Sequence, residues 1–400
     1  MQSIIHKVEK MNLEEAKNLE SNYVFNTYGR FPLVVEKGEG CYLYSTDGKK
    51  YLDFLAGIAV NSLGHSHPKI VEAVTEQAKK AIHVSNFYHI PSQYLLGKKL
   101  CEVSGLDRAF FCNSGAEANE GAIKLARRYQ SQKGKEEIIY FSHSFHGRTI
   151  TTLMATDKDK YRVGFGPFPP GFVKAEFNDV NDVLEKVTDK TAAFLVEPVQ
   201  GEGGINISSN EFMKTLSDLR EDKGILIIFD EVQCGIGRTG KWFAFQHYDI
   251  KPDIMTLAKA LGGGIPIGAI LARKEISDVL KPGDHGTTFG GNHLSTTVAL
   301  AVLDTIESEN LIVKANDMGK YLLKELNFMK DYSSVKALRG IGLMVGIEFE
   351  DLCSDFVKNC FDNNLLINCT RDKIIRLVPP LIVSKKEIDE AISIMKKSKK

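Results

Sequence analysis

The chain has 400 residues, with 51 Lys+Arg against 51 Asp+Glu, and 43% of its residues are apolar. Zero formal charge argues against a general nucleic-acid binder or a protein held on an anionic membrane, and the apolar fraction is that of an ordinary globular protein. The seven cysteines are scattered and lack CxxC spacing, so they read as reduced thiols of a cytoplasmic protein rather than a disulfide framework or a zinc site.

Met1–Lys10 lacks the apolar core of a signal peptide and is neither Arg-rich nor free of acids. No apolar run approaches the ~20 residues that cross a bilayer. His6 to Glu20 carries no assignment. Residues 40–55 read as a hairpin, with Tyr42, Tyr44 and Tyr51 around an Asp47-Gly48 turn. Ala109 to Cys112 leads into a turn, and a helix follows from about Ala116 to Tyr129. Glu137–Phe141, Ala192–Val196, Ile225–Phe229 and Ile254–Ala258 read as strands. Such alternation predicts an α/β fold with a mostly parallel sheet covered by helices. Near the C-terminus, Ser384 and Glu387 have capping-box spacing, and Ile388, Ala391, Ile392 and Met395 share one helix face. The basic tail Lys396–Lys400 reads as a solvated helix end that complements the dipole. The length suits a large domain, 61–300, with a smaller α+β part built from the N-terminal segment 1–60 and from 301–400.

Two of the buried runs end in charge. Asp230 closes one, and Lys259, 29 positions on, closes the next. Parallel strands deliver such residues to the carboxyl edge of a sheet, where open α/β folds bind ligands. A lysine and a carboxylate so placed suit pyridoxal phosphate (PLP), although a structural ion pair looks the same. Ser114 to Asn119 opens a helix; Gly115 permits close approach, and free amides there suit a phosphate or simply start a helix. Gly235 to Gly240 matches GxGxxG and, with Lys241, nearly matches a Walker loop. Trp242 lacks the hydroxyl that loop needs, so the stretch reads as a glycine-rich turn. His65, His67, His143 and His146 have no metal spacing and read as turn or packing residues. Phe145 and Arg148 follow a strand, as a stacking ring and a carboxylate grip or as a core Phe and a surface Arg. Arg376 sits among apolar residues and needs a partner, from the protein or from a substrate. Thr287 and Thr288 lie in a small-residue loop suited to phosphate or to a turn.

In this order, these segments resemble a class III, fold-type I, PLP-dependent aminotransferase from about Tyr28 to Pro380. Phe229-Asp230-Glu231-Val232-Gln233, with Lys259 at the family's spacing, carries most of the likeness. Thr27 to Pro32, Phe54 to Asn61 and Phe145 to Thr149 are most similar to the branch that acts on N2-acetylornithine in arginine biosynthesis. The resemblance implies roles residue by residue. Lys259 would hold PLP as a Schiff base, and Asp230 would keep the ring nitrogen protonated. Gln233 would bond the ring hydroxyl, with Val232 and Phe145 on the two ring faces. Gly115 and Ala116 would bind the phosphate, joined by Thr288 from the other subunit of a homodimer. Arg148 would hold a substrate carboxylate, with Thr287 and Tyr28 beside it. Glu197 would pair with Arg376 and release it to the second substrate, 2-oxoglutarate. Succinylornithine, succinyldiaminopimelate, ornithine and 4-aminobutyrate are the alternative donors. Ile58 suits an acylated amine, because ornithine enzymes usually carry tyrosine there, although 4-aminobutyrate enzymes share the isoleucine. The resemblance implies neither a metal nor a nucleic-acid or membrane partner.

Overall fold

Three apolar runs, Thr191–Val196, Leu226–Asp230 and Ile254–Leu257, are buried at every position in the computed structural model, which describes residues 11–398. The expectations for residues 1–10 and for Lys399 and Lys400 lie outside the described residues. Burial at every position requires cover on both faces of the sheet. The runs are neighbours in a seven-stranded sheet of order Arg108–Cys112, Gly268–Ala272, Ile254–Leu257, Leu226–Asp230, Thr191–Val196, Glu137–Phe141, Phe172–Ala175. Only Gly268–Ala272 runs against its neighbours, so the sheet is mostly parallel, as the alternation predicted.

Side-chain parity sorts the two faces. Leu226 and Ile228 pack in one cluster with Ala118, Ala122 and Ala126 of the helix Gly115–Gln130. Ile227 and Phe229 pack in another with Phe212, Met213 and Leu216 of the helix Asn210–Lys223. Two residues beyond Ile228, parity turns Asp230 toward the first helix.

Two smaller sheets flank this one. Val35–Glu39, Tyr42–Ser45 and Lys50–Asp53 form a meander, and the expected turn falls at Gly48, with φ at 82°. The C-terminal strand Leu365–Leu366 joins the same sheet in parallel, so both ends of the chain share it. Val335–Ile341, Met344–Phe349, Ile374–Leu377 and Asn368–Thr370 form the other sheet, antiparallel throughout. The last helix, Lys385–Lys397, has the expected box: Glu387 accepts from the Ser384 amide at 2.7 Å, and Ile388, Ala391, Ile392 and Met395 are buried. Among the described residues, no helix is long and apolar enough to cross a membrane.

One cysteine expectation is corrected. Cys353 and Cys369 form a disulfide, while five cysteines are free. Sequence spacing concealed the pair because the helix Ser354–Asp362 and the following turn fold back onto Asn368–Thr370. The glycine-rich stretch at 235–240 is buried. Arg238 is 1% exposed and donates from Nη1 to the carbonyls of Leu343, at 3.1 Å, and Pro379. The loop therefore seats the C-terminal region rather than offering amides to a nucleotide. Burial pulls the Arg238 guanidinium down to about 9.

Phe212 is fully buried, with ring centroids 5.0 Å from Phe141 and 5.4 Å from Phe177. Phe212→Ala should cost about 3–5 kcal/mol, read as a lower urea midpoint.

Candidate active site

The parallel strands converge at their carboxyl ends on a cavity of about 430 Å³. Asp230 is the last residue of its strand, Glu197 follows Val196, and Lys259 comes two residues after Leu257. The loop after Phe141 contributes Phe145 and Arg148. The helix after Ser114 contributes Gly115 and Ala116, and Val232 and Gln233 follow Asp230. The cavity thus unites nine of the residues to which the resemblance gave roles.

Asp230 is buried and held by three donors. Asn119 Nδ2 donates to Oδ2 at 2.7 Å, His146 Nδ1 lies 2.7 Å from the same oxygen, and the Val232 amide donates to Oδ1 at 3.0 Å. Asn119 is itself locked, accepting from Thr256 Oγ1 at 2.7 Å and donating to the His146 carbonyl at 2.8 Å. The reading of His146 as a turn or packing residue is therefore corrected: its ring touches the key carboxylate. Asn119 was overlooked, yet it left a signal. It is a polar residue on the buried alanine stripe of a helix, and such groups need partners.

Lys259 opens the short helical turn Lys259–Gly262 with φ at 44°, a left-handed conformation that bulky residues rarely adopt. Burial pushes its amine below the ordinary value. Glu202, Asp230 and Glu197 oppose that shift, and Arg376 adds to it.

The helix start is shaped for close approach. Ser114 Oγ accepts from the Glu117 amide at 3.2 Å, while Glu117 reaches back to the Asn113 amide. The amides of Gly115 and Ala116 come too early for partners within the helix. A Cβ on Gly115 would stand 2.7 Å from Val232 Cγ1, so only glycine lets the helix meet that side chain.

The two arginines are held differently. Arg376 is 1% exposed; its Nη1 donates to Glu202 and, at 3.0 Å, to Gln233 Oε1. Burial raises the Glu202 carboxyl, but Arg376 and Lys259 beside it hold it below its ordinary value. The expected Glu197–Arg376 pair is thus corrected to Glu202–Arg376. Glu197 instead accepts from the Phe145 amide at 3.0 Å and the Gly201 amide at 3.3 Å. A strand-end carboxylate buried so close to the sheet meets backbone first. The turn beyond it, pressed so near Gln233 that a Gly201 Cβ would lie 2.2 Å from that side chain, carries Glu202 across to Arg376. Gln233 therefore lines the cavity with its oxygen engaged by Arg376.

Arg148 is exposed at the cavity mouth, its Cζ 3.6 Å from the centroid of the Tyr161 ring. Four of the expected residues fall outside the walls of this cavity: Arg376, which reaches it through Gln233, and Tyr28, Thr287 and Thr288. Tyr28 is 69% exposed, on an irregular stretch with Arg30 over its ring. Thr287 accepts from Asn113 Nδ2 at 3.1 Å, and Thr288 is exposed.

The family model of class III aminotransferases matches residues 23–398. The chain is a class III aminotransferase. It is 54% identical over 387 residues to the acetylornithine aminotransferase of Methanocaldococcus jannaschii, covering 96% of this chain and 97% of that one. The corresponding protein of Archaeoglobus fulgidus is 46% identical, over 94% and 98%. Among solved structures, the ornithine aminotransferase of Toxoplasma gondii aligns with a TM-score of 0.95 at 32% identity, over 99% of this chain and 97% of that one. The acetylornithine aminotransferase of Elizabethkingia anophelis aligns with a TM-score of 0.86 at 35% identity, over 97% and 99%.

The cofactor of this aminotransferase is pyridoxal 5'-phosphate. The residues present fit it: one cavity offers an amine, a fixed carboxylate, a glycine-cleared helix start, and the side chains of Phe145 and Val232.

Burial raises the Glu197 carboxyl from 4.5 to about 7. The folded protein then holds this proton more tightly than the unfolded chain does. The resulting stability is full below 4.5 and is lost as pH rises through about 7. Glu197→Gln removes that loss. Its melting temperature relative to the parent should climb across the same interval, and a flat difference would refute the buried acid.

Proposed function

We propose that this aminotransferase moves the terminal amino group of N2-acetylornithine to 2-oxoglutarate, giving N-acetylglutamate 5-semialdehyde and glutamate, in arginine biosynthesis. The curated relatives reported above support the donor. The carrying observation is the pair of arginines, one open and one covered by Glu202.

Bound PLP supplies an electron sink for the carbon that bears the reacting amine. Gly115 and Ala116 amides would hold its phosphate, Phe145 and Val232 its ring faces, and Lys259 its reactive carbon. Asp230, oriented by Asn119, His146 and the Val232 amide, would face the ring nitrogen. Lys259, with its proton affinity reduced by burial, takes the proton from the donor carbon and later returns it. Arg148 holds the carboxylate of the donor. Glu202 neutralises Arg376 while the donor, with its single carboxylate, reacts. 2-Oxoglutarate brings two carboxylates, and the second displaces Glu202 from Arg376. Phe25, Phe87, Tyr88 and Phe289 expose large apolar rings, which supports a homodimer with Thr288 reaching the partner's site. Cytoplasmic location, and a small domain of 1–60 and 301–400 against 61–300, belong to the same reading.

The test is the visible spectrum of the purified protein with donor alone. N2-acetylornithine should bleach the yellow absorbance of bound PLP and release the semialdehyde. Bleaching by ornithine or 4-aminobutyrate instead would keep the class and move the substrate. The structural likeness to ornithine aminotransferase favours ornithine as the rival, and the apolar Ile58 speaks against it. No yellow absorbance after added PLP would overturn the reading. Glu202→Ala should raise the ratio of kcat/KM for glutamate over N2-acetylornithine by about tenfold, since nothing then masks Arg376; an unchanged ratio would remove Glu202 from substrate selection.

A further inference from the structure

Arg148 is held without an acid. Among the described residues no carboxylate pairs with it, and its guanidinium lies 3.6 Å from the Tyr161 ring centroid and 5.7 Å from that of Phe145. Lys158 Nζ lies 4.7 Å from the same Tyr161 centroid, so positive potential gathers at this mouth. A carboxylate partner would occupy the fork of N–H donors that a substrate needs. A ring face takes only the flat side of the guanidinium and leaves the edge free.

Tyr161 is well placed to hold that position. It lies in the short helix Asp159–Arg162, half-buried. Its neighbour Arg162 donates to the Thr156 carbonyl from Nε at 3.1 Å and Nη2 at 2.8 Å. The segment before it is laced to the loop that carries Arg148. The His146 amide donates to Thr156 Oγ1 at 3.0 Å, the His143 amide to Asp157 Oδ2 at 2.8 Å, and Ser144 Oγ to the Ala155 carbonyl at 2.8 Å. Ring and arginine therefore belong to one braced unit.

We propose that Tyr161 is a positioning residue for the substrate carboxylate: its ring face holds the Arg148 guanidinium at the cavity mouth with the donor edge turned free for the substrate. This rests on the reading of Arg148 as the carboxylate grip. It also explains a division of labour. Arg376, gated by an acid, must be released, whereas Arg148 stands ready for every substrate.

The test uses the PLP-loaded full chain and two donors: N2-acetylornithine, and N-acetyl-1,4-diaminobutane, which is the same molecule without its carboxylate. Tyr161→Ala should raise the KM for N2-acetylornithine about tenfold with kcat changed less than about threefold. Tyr161→Phe, which keeps the ring, should restore it. The carboxylate-free donor should respond to neither. Equal loss in Tyr161→Phe, or equal loss with the carboxylate-free donor, would overturn the proposal. Arg148→Ala separates the two layers. If it raises the donor KM while Tyr161→Ala does not, only the Tyr161 inference falls. If it leaves the donor KM unchanged, the grip itself falls and the inference with it. Should Tyr161→Ala lose its cofactor absorbance, Tyr161→Leu keeps side-chain bulk without a ring and carries the same expectation.

Discussion

A carboxylate buried at the end of a strand organises the centre of this protein. Asp230 cannot be buried without donors. It draws one from the helix Gly115–Gln130, one from the loop after Phe141, and one from its own next turn. Asn119 is in turn tied to Thr256 on the adjacent strand. Helix start, the loop after Phe141 and two strands therefore meet at a single side chain. The separation between the helix amides and Lys259 follows from that junction, because none of these elements can shift without breaking a buried hydrogen bond.

Around this rigid centre, the two arginines divide adaptability. Arg376 is buried and has to be paired, since an unpaired internal cation is costly. Glu202 satisfies it from a turn flanked by Gly201 and Gly203. Arg148 is exposed enough to be solvated and needs only orientation, which an aromatic face supplies. The contrast between an acid and a ring as partners matches a site that must accept one carboxylate in one half-reaction and two in the next.

Much of this was legible in the chain. Uninterrupted apolar runs marked the strands, and strand geometry then placed Asp230, Lys259 and Glu197 at one edge. The Ser384–Glu387 box and the Asp47-Gly48 turn are local hydrogen-bond chemistry, so they appeared where their residues stand. The missed contacts are the non-local ones. Asn119 and His146 reach Asp230 across 111 and 84 positions. Glu202 displaced Glu197 as the partner of Arg376 because five residues of turn decide which acid crosses the cavity. The Cys353–Cys369 bond and the Tyr161–Arg148 stack likewise depend on how turns fold back, which no periodicity reports.

By itself the sequence determined the apolar strands, the helix that follows Ser114 and the amine and carboxylate that close two of those strands, because runs and caps are patterns of neighbouring residues, and the alternation of strand with helix then implied a parallel sheet. Only the tertiary structure decided which side chains hold those groups, which acid guards Arg376 and which loop is sealed under the C-terminal region. Those choices depend on distances between segments remote in the chain, and these are set by packing rather than by any local preference.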